Sequence, residues 1–159
     1  MRGAGLTSSS SPRPDTEARM KKILPLAILF ALLLTACQSS SPPEDADVAI
    51  LFTEGGCKLL KAPEGDFPNP IRIAARNTTN EDYGIPIVTL LEGFTKEDLE
   101  AHKSPDTPSY VGSFLGHIDP ESKGDWLVEE IELKPNRENF VVCAHSKNGV
   151  LSVPIVLTP

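Results

Sequence analysis

Asn139-Phe140-Val141-Val142-Cys143-Ala144-His145-Ser146-Lys147-Asn148-Gly149-Val150 is the stretch on which the fold turns. Phe140 to Ala144 is a short run of strand formers, apolar at odd and even positions alike. Successive side chains of a pleated strand point to opposite faces, so this run, apolar on both, predicts a central strand, Asn139 to Ser146. Lys147-Asn148-Gly149 reads as a turn, because an Asn-Gly pair supplies the positive φ angles of a tight hairpin. Val150 to Thr158 completes the hairpin, with Pro154 at an interrupted or edge position.

Upstream, Trp126 to Leu133 reads as a strand whose Glu129, Glu130 and Glu132 spoil strict alternation, which predicts an exposed edge. Tyr110 to Leu115 is a weaker strand or loop, and Asp119 to Gly124 is a turn by its residue types. Thr95 opens one short helix running to about His102, with Asp98 placed for a capping box and Lys103-Ser104-Pro105 stopping it. Glu97, Asp98 and Glu100 suit the positive end of the helix dipole, so they read as a solvated first turn and not as catalytic acids. Ile85 to Leu91 is a strand in which Pro86, lacking an N–H, predicts an edge or an entry bulge. In Ile71 to Arg76, Ile71, Ile73 and Ala75 alternate with Arg72, Ala74 and Arg76, which predicts one buried and one wet face. Asn77-Thr78-Thr79 is a glycosylation sequon that we attribute to chance. Val48 to Thr53 and Cys57 to Leu60 complete a set of about seven short strands, the pattern of an all-β, antiparallel β-sandwich with one short helix over residues 48–159.

The amino-terminal third is of another kind. Met20-Lys21-Lys22 precedes the uncharged run Ile23 to Leu34, which is short for a membrane span of about 20 residues but fits the apolar region of a signal peptide. The stretch closes on Leu34-Thr35-Ala36-Cys37, which resembles the lipobox of the general bacterial lipoprotein signal. The resemblance implies that residues 20–36 are a signal peptide removed on export. Cys37 is then lipidated, and acyl chains each gaining about 0.8 kcal/mol per buried methylene hold the protein on a membrane. An ordinary signal peptide cut near Ala36, or an uncleaved amino-terminal helix, are the competing readings. Residues 1–19 read as a misassigned start or a disordered extension, and residues 37–47 as a flexible tether. Gln38 follows the lipobox Cys where Asp favours inner-membrane retention. The expected location is the bacterial cell envelope: the outer membrane facing the periplasm in a Gram-negative source, otherwise the outer face of the cell membrane.

From Cys37 onward there are 20 Asp and Glu against 10 Lys and Arg. That acidic excess argues against nucleic acid as a partner, because phosphate backbones need clustered cations. With Cys37 consumed by lipid, Cys57 and Cys143 remain as a pair in an oxidising compartment, where a disulfide is expected. Two free thiols, or a metal site containing Cys143, remain the alternatives.

Gly56-Cys57, the following Pro/Gly turn and Ile71 to Asn77 resemble small exported bacterial cupredoxin-like (Ig-like) sandwich domains. Glu92 to Leu99 resembles their helix-bearing connection, and Ile131 to Leu133, Lys134-Pro135-Asn136, Phe140 to Cys143 and the final hairpin resemble their closing strands. The resemblance spans residues 48–158 and implies a Greek-key sandwich. Many cupredoxins hold copper through two His, one Cys and a weak axial ligand. Cys143, His145 and His117 are the residues to test for that chemistry, although Cys143-Ala144-His145 is more tightly spaced than the usual pattern and no Met follows residue 20. Asp119, Glu121 and Asp125 match no calcium-loop spacing, Gly112-Ser113-Phe114 lacks the second glycine of a nucleophile elbow, and no glycine-rich phosphate loop is present. The sequence therefore predicts no catalysis and no cofactor. The expected role is a membrane-anchored binding or assembly protein for an envelope protein, a peptide or a glycan. An apolar or aromatic patch is expected near Tyr83, Phe94, Tyr110 and Trp126.

Overall fold

The computed structural model describes residues 41–159. Leu34, Thr35, Ala36 and Cys37 lie outside the described residues, as do the expected signal peptide and the first part of the tether. Eight strands and one helix follow in the order β1 (Val48–Thr53), β2 (Gly56–Lys61), β3 (Ile71–Asn77), β4 (Tyr83–Leu90), α1 (Lys96–Ala101), β5 (Val111–Ile118), β6 (Leu127–Ile131), β7 (Asn139–His145) and β8 (Gly149–Leu157). They form two four-stranded sheets, ordered β2-β1-β3-β6 and β5-β4-β7-β8. The expected all-β sandwich is therefore present, with one correction. β1 and β3 pair in parallel, Val48 opposite Ile73 and Phe52 opposite Asn77, so the first sheet is mixed and not purely antiparallel.

The core between the sheets follows from alternation. Val48, Ile50 and Phe52 of β1 and Ile71, Ile73 and Ala75 of β3 meet Ile85 and Ile87 of β4, Ile118 of β5, and Val141 and Cys143 of β7, all of them fully buried. Cys57 and Cys143 are joined by a disulfide, with Cα atoms 6.3 Å apart, which ties the edge strand β2 to the opposite sheet. The closed loop spans 86 residue steps, for which the chain-entropy account gives about 4–5 kcal/mol.

β7 is interior, as the apolar run predicted, and β6 and β8 are edges. Pro86 is not at an edge: β4 pairs with β5 on one side and β7 on the other. Pro86 stands opposite His117 in the ladder to β5, which shifts register just after it between Ile87 and Val88, and it falls between the Gly84–Ala144 and Ile87–Val141 pairs of the ladder to β7. Ala74 does not face water either. It packs with Ala46, Ala49, Trp126 and Val128 in a small cluster on the outer side of the first sheet. The hairpin at Asn148-Gly149 has only Gly149 at positive φ (70°) and is closed by the Asn148 N–H donating to the His145 carbonyl at 3.2 Å. A side chain at Gly149 would also run into the Ser104 backbone.

Residues 43–47, expected to belong to the tether, lie against the first sheet. Ala46 is buried, the Asp47 N–H donates to the Arg72 carbonyl at 2.8 Å, and Asp45 pairs with Arg72 at 2.6 Å. Lys61 Nζ donates to the Ala46 and Glu44 carbonyls. Among the described residues no helix is long and apolar enough to cross a membrane.

Candidate functional site

The outer face of the second sheet is apolar over most of its area. Val88 and Leu90 of β4, Phe140 and Val142 of β7, and Val150 and Val153 of β8 form a second buried cluster on this side. Something must cover it, and α1 covers one part through Leu99, which is 2% exposed. The helix is held in place at both ends. The Thr95 N–H donates to Asp98 Oδ2 at 2.8 Å, fixing its start. Glu100 Oε1 accepts the Val153 N–H at 3.1 Å, which ties the helix to β8. Tyr110 closes the far side: its ring stacks on Phe94 at 4.7 Å and its hydroxyl donates to the Asp98 carbonyl at 2.8 Å. Burial first, and then the Asp98 carboxylate, push the Tyr110 hydroxyl above the usual 10.0.

Beyond Leu99 the cover stops and a groove of about 260 Å³ remains. Its floor is the outward row Pro86 and Val88 of β4 with Val142 of β7, and its walls are Val111 and Phe114 of β5 and the segment 105–108. Phe114 is 57% exposed, unusual for a phenylalanine with an apolar face beside it. Gly84 lies at one end. A β-carbon there would come within 2.3 Å of the His117 imidazole and 2.9 Å of Asp119, so the absence of a side chain lets that pair sit over the strand. His117 Nε2 is 2.8 Å from Asp119 Oδ1.

All three histidines of the chain line this groove, and each has a partner. His102 Nε2 is 2.7 Å from the Asp106 carbonyl. His145 is nearly buried; its Nδ1 accepts the Lys147 N–H at 3.0 Å and its Nε2 lies 3.2 Å from Glu81. His145 therefore carries its proton on Nε2 when neutral, donated to the carboxylate. Of the residues picked out for copper, Cys143 has its sulfur in the disulfide while His145 and His117 are each bonded to a carboxylate. Among the described residues no three His, Cys, Asp or Glu side chains are arranged to hold a metal ion.

The four aromatics do not gather in one patch, although Tyr83 is among the residues that line the groove. Tyr83 stacks on Phe52 within the sandwich at 4.7 Å, Trp126 packs on the outer side of the first sheet, and only Phe94 and Tyr110 lie together. The sequon asparagine is fully buried: Asn77 Nδ2 donates to the Glu81 carbonyl at 2.8 Å and its Oδ1 accepts the Thr79 N–H at 2.9 Å.

Sequence reasoning missed the groove itself. The signal lies in Phe140 to Ala144, whose two apolar faces call for a cover on the outer side of the sheet as well as a core on the inner side. Comparison with known proteins adds no relative: no family model, no curated protein and no solved structure matches this chain.

Proposed function

We propose that this chain is a lipid-anchored envelope protein of bacteria that works by binding, with the outer face of its second sheet as the binding surface. The observation that carries the binding part is the open groove with an apolar floor beside α1. Concave apolar sites with a few polar groups at the rim are where proteins take ligands. The anchor rests on the lipobox Leu34-Thr35-Ala36-Cys37, and an extracytoplasmic setting agrees with the Cys57–Cys143 disulfide, since such bonds persist in oxidising compartments. Within the sandwich class we assign the domain to the Greek-key, cupredoxin-like or Ig-like type. Support comes from the chain changing sheets after β3, β5 and β6, and from the sheet-to-sheet disulfide. No group of side chains at the groove forms a nucleophile with its base, so binding without catalysis is the reading we adopt.

Metabolic labelling with an alkyne analogue of palmitate tests the anchor. The wild-type chain takes up label and fractionates with membranes, while Cys37→Ser takes up none and is released. Unlabelled wild-type protein would overturn the anchored reading.

A further inference from the structure

The groove's rim carries a charge pattern that its floor does not explain. Asp82, Asp106 and Asp119 line it, and among the described residues that do so there is no Lys or Arg. Lys103, in the segment that follows α1, is engaged with the Val150 carbonyl at 3.0 Å. Asp119 is 77% exposed despite its contact with His117, so it is available to a partner. All three carboxylates are exposed, so each attracts a cation modestly and in a salt-dependent way, and their common sign around one groove adds these attractions together.

Resting on the reading of this groove as the binding site, the geometry points to a peptide segment as its occupant, with one apolar side chain flanked by Lys or Arg. Three features select that chemistry. The space of about 260 Å³ is below the range that encloses a whole drug-sized ligand, and it suits a single bulky side chain with its neighbours outside. The three carboxylates repel acidic glycans and anionic lipid headgroups and attract cations on either side of that anchor. Finally, β5, which supplies Val111 and Phe114 to the wall, is an edge strand of its sheet. An edge presents backbone N–H and C=O groups of the kind a peptide main chain complements and a simple amine does not.

The test uses the full chain in a non-ionic detergent, with fluorescence anisotropy of three labelled peptides: Gly-Ser-Gly-Lys-Phe-Lys-Gly-Ser-Gly, and the same peptide with both Lys replaced by Gln or by Glu. Empty micelles give the blank. The Lys peptide is expected to bind about tenfold more tightly than the Gln peptide, and the Glu peptide more weakly than either. The advantage should shrink as salt rises to about 0.5 M, where exposed charges are screened. The double variant Asp106→Asn with Asp119→Asn, both at exposed positions, should keep its melting temperature and its affinity for the Gln peptide while losing most of the Lys preference. If Lys and Gln peptides bind alike, the inference fails while the groove stands as a binding site. If none of the three binds, both fall. A Lys preference undiminished in the double variant would also overturn the inference, because the recognising charge would lie elsewhere.

Discussion

The outer faces of the two sheets each carry buried apolar side chains, and these are covered in different ways. On the first sheet Ala49 and Ala74 are small, and the chain's own entry at Ala46 with Trp126 and Val128 is enough to cover them. On the second sheet the outward side chains Val88, Leu90, Phe140, Val142 and Val150 are larger, and α1 with Tyr110 covers only one end of the row. Small residues let backbone and loop close the surface. Large ones need a separate layer, and where that layer ends a groove is left. The contrast separates a face built for stability from one that leaves room for something else.

Four perturbations probe this difference between the faces. The largest effect belongs to the staple common to both sheets. Cys57→Ser with Cys143→Ser should lower unfolding stability by about 4–5 kcal/mol, measured by urea denaturation. A loss below about 1 kcal/mol would mean that the two sheets hold together without it.

On the second sheet, Leu99→Ala removes the side chain that caps the outer cluster. Truncation of a buried leucine costs about 2–5 kcal/mol. With Leu99 truncated, α1 is held to the sheet by surface hydrogen bonds such as Glu100 with the Val153 N–H, so the amides of Lys96 to Ala101 should also exchange faster than those of β7. Uniform exchange across both elements would show that the helix is not a separable cover.

On the first sheet the matching change is milder. Trp126 Nε1 is buried without a hydrogen-bond partner. Trp126→Phe therefore removes an unsatisfied donor together with some packing, and the two effects oppose each other. Its melting temperature should move by only a few degrees, the equivalent of less than about 1 kcal/mol. A larger fall would mean that the indole is the keystone of that face.

The smallest effect is a titration. Tyr110 is held above the usual 10.0, first by burial and then by Asp98. A raised value in the folded state means that Tyr110 contributes stability below pH 10, and that this contribution disappears as pH rises through the folded-state value. Ultraviolet absorbance with Tyr110→Phe as the blank should place its midpoint above 10.0. A midpoint at or below 10 would mean that the ring is not shielded by the helix.

What the sequence could and could not say follows from the range of the forces involved. β1, β2, β3, β7 and the capped helix were legible because alternation, capping residues and turn glycines act locally. The Cys57–Cys143 pair was legible by count, once Cys37 is set aside for the expected lipid. The parallel pairing of β1 with β3 was not, because register between strands separated by β2 depends on which faces meet. Pro86 was legible in part: β4 is not an edge, but its ladder to β5 shifts register between Ile87 and Val88, next to the proline. Ala74 looked wet because its neighbours are arginines, and only the return of the chain at Ala46 and Trp126 dries it. The site was harder still. Tyr83, Phe94, Tyr110 and Trp126 are conspicuous in a chain poor in aromatics, yet they are spread over three surfaces. Pro86, Val88, Phe114 and Val142 come from three strands that meet only in the folded sheet.

The central claim, that the uncovered half of the second sheet is a binding surface, is tested most directly by nuclear magnetic resonance with a small aromatic probe such as indole. Saturable shifts are expected at Gly84, Val88, Val111, Phe114, Val142 and their neighbours, abolished by Phe114→Lys at the exposed groove wall and unaffected by Leu60→Lys on β2. Shifts scattered over both sheets, or none at the groove, would contradict it.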